Sequence, residues 1–321
     1  MMLHVDGDSV RELLDFKLGL RLSEEAFRLH SSNQVEQPLR TIVRGSDNEL
    51  MGVMPAYIKS GRYQGFGLKS VVVRLGAEIR GPSHMGSVLI YDETGASPVA
   101  AVDAGAITEI RTAAASAYAT SLLAVPNASR LAILGTGWQA RSHLLAMQAV
   151  RPIKQLSIWG RTEAARQEFA LWSKRYCDFP VTTHATVAEA VHDSDIICTT
   201  TAARSPILTR TDLPAHCHVN AIGSSALGFQ ELHEDVYEHS ALFTDCNRSV
   251  LTSAECVIKA VQKGLLPAQE VGTEIGTLPA NRARVDERSV SIFKSVGLAV
   301  QDLVFSREAI RRQLSTCFWH P

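Results

Sequence analysis

Neither sign of charge is in excess in this 321-residue chain: 32 Lys and Arg face 33 Asp and Glu, a formal net charge of −1. With no basic or acidic surplus, the overall field attracts neither a nucleic-acid backbone nor an anionic membrane. Long apolar runs are missing too. Ala113 to Val125 is too short to cross a bilayer and carries Ser116, Thr120 and Ser121. The opening Met1–Asp6 lacks the basic start and apolar core of a secretion signal. The cysteines (Cys177, Cys198, Cys217, Cys246, Cys256, Cys317) include no close pair, which fits buried thiols in a reducing cytoplasm better than a disulfide framework. His216-Cys217-His218 looks metal-like, but successive residues of a strand face opposite ways, so only the two histidines share a side and no metal is expected. No Gly-x-Ser-x-Gly elbow, internal repeat or low-complexity tract occurs. What is present is an ordinary globular composition, 45% hydrophobic and 20% charged, long enough for two cores.

The most informative stretch is Leu131-Ala-Ile-Leu-Gly135-Thr136-Gly137-Trp138-Gln139-Ala140. An apolar run that breaks on two glycines and enters a helix is the pattern of a dinucleotide-binding turn. Gly135 permits the tight turn, Gly137 lets a pyrophosphate approach backbone N–H groups at the helix start, and Ala140 allows close packing of helix on strand. A second apolar strand, Gln155–Trp159, ends at Gly160-Arg161-Thr162, where the residue that reads the ribose belongs. An acidic residue there would hold a 2′-hydroxyl and repel a 2′-phosphate. Arg161 and Thr162 supply a cation and a hydroxyl instead, favouring NADP(H), while Arg161 stacked on adenine would also suit NAD(H). Thr199, Thr200 and Thr201 end the next-but-one strand, at the carboxyl edge where a cofactor crosses.

Organisation changes along the chain. The first hundred residues mix helices (Ser9–Phe16 and Ser23–Leu29, the latter with a Ser23 cap) with strands at Arg40–Arg44, Leu50–Ala56, Gly67–Leu75, Ser87–Tyr91 and Pro98–Val102, with a turn at Asp92–Gly95. An Ala-rich helix is expected from Thr108 to about Ala124, opened by Arg111 and Thr112, whose charge and N–H groups suit an anion. From Arg130 strands and helices alternate, as in a doubly wound parallel sheet. The segment Val285–Val304 reads as an amphipathic helix. The expected fold is α/β: a Rossmann-type doubly wound parallel sheet over 113–295, plus a smaller α+β substrate and dimerisation domain from 1–112 with 296–321.

Arg111-Thr-Ala-Ala-Ala-Ser116, the glycine turn, Asn220-Ala-Ile-Gly223, Glu231-Leu232 and Ile292-Phe-Lys-Ser-Val-Gly-Leu-Ala-Val-Gln-Asp302 together resemble the ornithine cyclodeaminase/mu-crystallin family over nearly the whole chain. The resemblance implies a nicotinamide-dependent enzyme of amino or cyclic imino acids and a homodimer joined through the N-terminal domain. It implies a carboxylate clamp of Arg44, Lys69 and Arg111, and places Ser295 and Gly297 near the nicotinamide. Lys69 also stands out without it. On a strand it shares a face with Val71 and Val73, so its ammonium needs an anion, substrate or structural carboxylate.

Deaminating relatives carry an aspartate where this chain has Ser225. Oxidative deamination needs a base to take a proton from an ammonium, which serine does not provide near neutral pH. A protonated cyclic ketimine needs only a hydride, and the resemblance implies that the ketimine-reducing branch tolerates serine here. The expected activity is therefore reduction of a Δ1-pyrroline-2-carboxylate or Δ1-piperideine-2-carboxylate type ketimine, with Ser225 or His84 assisting the nitrogen. An amino-acid dehydrogenase or cyclodeaminase with a relocated base, an enzyme acting on a larger amine, and a cofactor-loaded non-catalytic binder stay open. His143, behind the glycine turn, reads as structural.

Overall fold

Alternation of buried and exposed residues builds a meander from the first hundred residues. The computed structural model describes residues 2–46, 49–74, 84–92, 97–279 and 289–317. Two compact units result, Met1–Ala114 with Leu298–Pro321, and Ala115–Gly297. The first contains β1 (Leu3–Val5), α1 (Gly7–Leu13), α2 (Phe16–Ser31), β2 (Val35–Glu36), β3 (Thr41–Ser46), β4 (Glu49–Ile58), β5 (Gly65–Arg74), β6 (His84–Tyr91) and β7 (Pro98–Asp103). Strand order is β1-β7-β6-β5-β4-β2, with β3 also on β4. β4 to β7 pair antiparallel, and β1 joins β7 in parallel. The expected turn at 92–95 falls largely on residues outside those described, as do Leu75 and the segment just before His84.

One face of this sheet carries Met54, Ala56, Ile58 and Val71, all buried. The C-terminal helix, Ala299–Cys317, packs there on β4, β5, β6 and α2. Contact is close enough that a Cβ on Gly67 would lie 2.7 Å from Leu303. The other face stays apolar but open. Val43, Met51, Val72 and Met85 are direct cross-strand neighbours over four strands, and Val43 and Met85 are 54% and 43% exposed.

Two helix starts differ from the sequence reading. α2 begins at Phe16, capped by Asp15 accepting from the Leu18 N–H at 2.7 Å, so Ser23 is a fully buried mid-helix residue and not a cap. The Ala-rich helix α3 spans Ala104–Leu123. The Asp103 carboxylate accepts from the Ala106 N–H at 2.7 Å and starts it one turn earlier than expected. Arg111 and Thr112 therefore lie two turns inside the helix. Their N–H groups belong to the helical ladder and offer nothing to an anion.

The second unit contains β8 (Arg130–Leu134), α4 (Trp138–Val150), β9 (Gln155–Trp159), α5 (Glu163–Ser173), β10 (Val181–His184), α6 (Val187–Val191), β11 (Ile196–Thr199), β12 (His218–Ala221), β13 (Ser240–Thr244), α7 (Asn247–Ser253), α8 (Glu255–Gln262), β14 (Thr273–Glu274) and β15 (Val290–Lys294). Every neighbouring pair is parallel, in the order β10-β9-β8-β11-β12-β15-β13-β14. The strand order reverses at β8, so the chain is doubly wound. The expected helix over Val285–Val304 holds from Ala299 onward, 285–288 lie outside the described residues, and β15 corrects the part between: Val290–Lys294 is a fully buried strand inserted between β12 and β13. A short apolar run buried on both faces has no period that separates strand from helix.

Candidate active site

In the second unit the glycine turn sits between β8 and α4. Gly135 has φ +127°, and a Cβ there would come within 2.6 Å of the Thr200 hydroxyl and 2.9 Å of its carbonyl, so only glycine fits. Gly137, the residue before α4, differs: its φ is −83°, and no heavy atom of the described residues lies within 4 Å of its missing Cβ. Glycine is not needed there for the fold. The space is open beside backbone N–H groups at the start of a 13-residue helix, where an anion is favoured. Ala140 is fully buried beneath the turn, Trp138 is half-exposed, and Thr136 packs over Gly160, whose added Cβ would touch it at 2.6 Å.

Gln139 accepts through its carbonyl from His143 Nδ1 at 2.7 Å, and His143 Nε2 bonds Ser116 Oγ at 2.9 Å. Burial pushes the His143 imidazole down to about 4, so it is a neutral packing residue.

At the end of β9, Arg161 is exposed and has no ion-pair partner among the described residues. Thr162 caps α5, its oxygen accepting from the Ala165 N–H at 3.3 Å while its own proton remains to donate. These residues fit a dinucleotide with its pyrophosphate at Gly137 and its adenosine ribose near Arg161.

Along the carboxyl edge, several expected cofactor contacts point inward. Thr199 is fully buried and donates to Glu231 Oε2 at 2.7 Å. Thr201 gives Glu231 Oε1 both its N–H (2.5 Å) and its hydroxyl (2.8 Å), and the Gly223 N–H reaches Oε2 at 2.8 Å. Thr200 donates back to Leu134 O at 3.3 Å. The Thr199 and Thr201 hydroxyls thus build a loop frame around Glu231. Ser295 is engaged within the protein in the same way. Its hydroxyl binds Asp245 Oδ2 at 2.8 Å, and the same oxygen accepts from the Val296 and Gly297 N–H groups at 2.8 and 2.6 Å. Gly297 holds φ +83°, which a side chain would strain. Lys294 is buried and donates to Ala221 O (3.1 Å) and Ser224 O (2.7 Å), with no carboxylate partner among the described residues. Ser225, half-buried, follows on that loop.

The first unit gathers cations. Lys69, 1% exposed, donates from Nζ to Asp302 Oδ1 at 2.9 Å, and Arg111 Nε reaches the same oxygen at 3.2 Å. Asp302 is itself fully buried, and its Oδ2 has no hydrogen-bond partner among the described residues. Burial lowers the Lys69 ammonium to about 8, against the pull of Asp302, and the Arg111 charge adds to the lowering. His84 opens β6, opposite Val73 of β5. Burial together with the Lys69, Arg111 and Arg40 charges drives its imidazole down to about 4. It is neutral at physiological pH, a hydrogen-bonding group and no cationic acid.

Arg40, just before β3, is the early arginine whose charge acts on Lys69 and His84. Arg44, the residue expected in that place, is exposed on β3 opposite Leu50. Thr112 also departs from its expected role, its hydroxyl spent on Thr108 O at 2.6 Å. Asp302, Arg40, Glu231, Asp245 and Lys294 went unassigned in the sequence. The one signal available was that a strand-buried Lys69 must have an anion.

The sequence model of the Ornithine cyclodeaminase/mu-crystallin family matches residues 2–316. A mouse (Mus musculus) protein named ketimine reductase mu-crystallin is 34% identical over 278 residues, covering 85% of this chain and 84% of its own. Among solved structures, the Δ1-pyrroline-2-carboxylate reductase of Thermococcus litoralis, in complex with NADH and L-proline, matches with TM-score 0.93 and 26% identity over 98% of both chains. An archaeal alanine dehydrogenase dimer with bound NAD gives TM-score 0.88 and 26% identity, over 98% of this chain and 97% of its own.

Proposed function

The chain belongs to the ornithine cyclodeaminase/mu-crystallin family, and from that premise we propose that it is an NADPH-dependent reductase of a cyclic ketimine bearing a carboxylate. The substrate class is Δ1-pyrroline-2-carboxylate or its six-membered homologue, and the product is the cyclic amino acid. One observation carries the reading: Lys69 and Arg111, both buried, share a single oxygen of Asp302, with the Arg40 charge close enough to act on Lys69. Buried cations are costly unless paired, and among the described residues Lys69 and Arg111 share the one carboxylate of Asp302. A substrate carboxylate supplies the missing anion, with Arg111 as its most specific donor.

Ser225 supports reduction over deamination, because it is no base at neutral pH. The nearby acids do not replace it. Glu231 accepts from four protein donors, and Asp235 accepts from the Arg210 N–H at 3.1 Å and pairs with His233. His84, neutral, serves as a hydrogen-bonding partner for the imine nitrogen, which arrives protonated. The backbone beyond Gly135 and Gly137 receives the pyrophosphate, and Arg161 with Thr162 receives a 2′-phosphate. The bound nicotinamide supplies the hydride.

A second copy of the chain covers the open face of the first unit's sheet. The ladder Val43–Met51–Val72–Met85, with Phe66 51% exposed beside it, is a contiguous apolar surface of the kind buried in obligate interfaces. The archaeal alanine dehydrogenase relative is itself a dimer. No helix among the described residues is long and apolar enough to cross a membrane.

The deciding experiment follows nicotinamide oxidation with both ring sizes of ketimine, using NADPH and NADH in parallel. Turnover with an NADPH preference is expected, and it should be lost in Arg111→Ala. Tight NADPH binding without turnover on either ring overturns the ketimine assignment.

A further inference from the structure

Three buried charged side chains of the second unit share one habit: each spends itself on the ends of neighbouring strands. Sheet order on this side of β8 is β11-β12-β15-β13. Glu231 ties the last residue of β11 (Thr199) and the segment after it (Thr201) to the segment after β12 (Gly223 N–H). Lys294, the last residue of β15, ties β15 to the end of β12 through Ala221 O and to the segment after it through Ser224 O. Asp245, the residue after β13, ties β13 to the turn after β15 through Ser295, Val296 and Gly297. Each junction between adjacent strands therefore has its own charged clasp, in register along the carboxyl edge. All three residues are about 1% exposed.

The other side of the sheet is built differently. Beyond β8 and β9 lie the open Gly137 and the exposed Arg161. A doubly wound sheet binds the two halves of a dinucleotide on the two sides of its switch point. The clasps therefore belong to one half. Burying three charges is expensive, and their hydrogen bonds go chiefly to backbone of irregular segments, which gives those segments one conformation.

We propose that Glu231, Lys294 and Asp245 are positioning residues that fix the loop ends receiving the nicotinamide half of the cofactor, and so set its affinity independently of the adenosine half. This rests on the dinucleotide reading of the second unit. The loop carrying Ser225 and the turn at Gly297 are the parts they hold.

The test compares calorimetric Kd values of the intact protein for NADPH and for 2′-phospho-ADP-ribose, which lacks only the nicotinamide ring. Lys294→Met keeps the chain length and loses both bonds. Glu231→Gln turns an N–H donor toward a donor on one side of the carboxylate. Each is expected to weaken NADPH about ten-fold and the fragment less than about two-fold. Lys294→Arg should recover part of the loss, and it keeps the test alive if Glu231→Gln does not fold. Parallel weakening of both ligands, or no change in either, overturns the proposal alone. A wild-type protein that binds neither NADPH nor NADH overturns the dinucleotide reading and the proposal with it.

Discussion

Asp302→Asn is the sharpest probe of the cation cluster. Among the described residues this carboxylate is the group that holds the Lys69 proton against burial, through a 2.9 Å bond between two buried side chains. Asparagine keeps the shape and an acceptor but loses the charge. A hydrogen bond to a charged partner contributes about 1.5–3 kcal/mol, or about one to two pH units of proton affinity. Lys69, already lowered to about 8, should fall by that amount in the variant. A lysine is charged below its pKa and neutral above it. Binding of a substrate carboxylate is therefore full at low pH and lost as pH rises through the Lys69 value. Wild-type kcat/KM should decline above about pH 8, and the decline should begin one to two units lower in Asp302→Asn.

Stability offers a second readout with its own sign. The folded value lies below the unfolded 10.5, so the unfolded chain binds more protons between about 8 and 10.5, and this group's contribution to stability rises with pH across that window. In the variant the rise should start at lower pH, on top of a loss of several kcal/mol from breaking a buried pair. An alkaline limb that stays where it is in the wild type would refute the assignment of Lys69 as the titrating carboxylate receptor.

Gly137→Ala should leave thermal stability unchanged, since its Cβ meets nothing, yet weaken NADPH about ten-fold or more in calorimetry. Equal affinity would remove the pyrophosphate from that turn. Gly135→Ala, by contrast, should lower stability by a few kcal/mol in urea unfolding, because its φ of +127° and the Thr200 contacts leave no room. Arg161→Glu should shift the NADPH-to-NADH ratio of kcat/KM about a hundred-fold toward NADH by repelling a 2′-phosphate, and an unmoved ratio would place that phosphate elsewhere. Phe66→Glu, on the open sheet face, should convert a dimer to a monomer in sedimentation velocity with the fold retained; a persistent dimer would assign the interface to another surface.

Much of the fold was legible because its signals are local. The glycine turn, the strand runs from Leu131 to Thr244 and their intervening helices each follow from a few neighbouring residues. Helix starts were less secure. Ser23-Glu-Glu imitates a cap, while Asp15 caps α2, and the Asp103 side chain draws α3 a turn toward its N-terminus. β15 was hidden because burial on both faces erases periodicity.

Sequence alone supplied the local groups: a helix start opened by Gly137, the cation Arg161 and not an acid after β9, a serine at 225, and a strand lysine that must find an anion. Only the tertiary structure decided which groups meet. Asp302 lies 233 residues from Lys69 and reaches it because the C-terminal helix packs on β5. Arg40 and Arg44 are four residues apart, and the start and pairing of β3 decide which one acts on that cluster. Partners of buried charges are set by long-range packing, since desolvation makes any unpaired arrangement too costly to keep, and no local pattern encodes which distant carboxylate will answer.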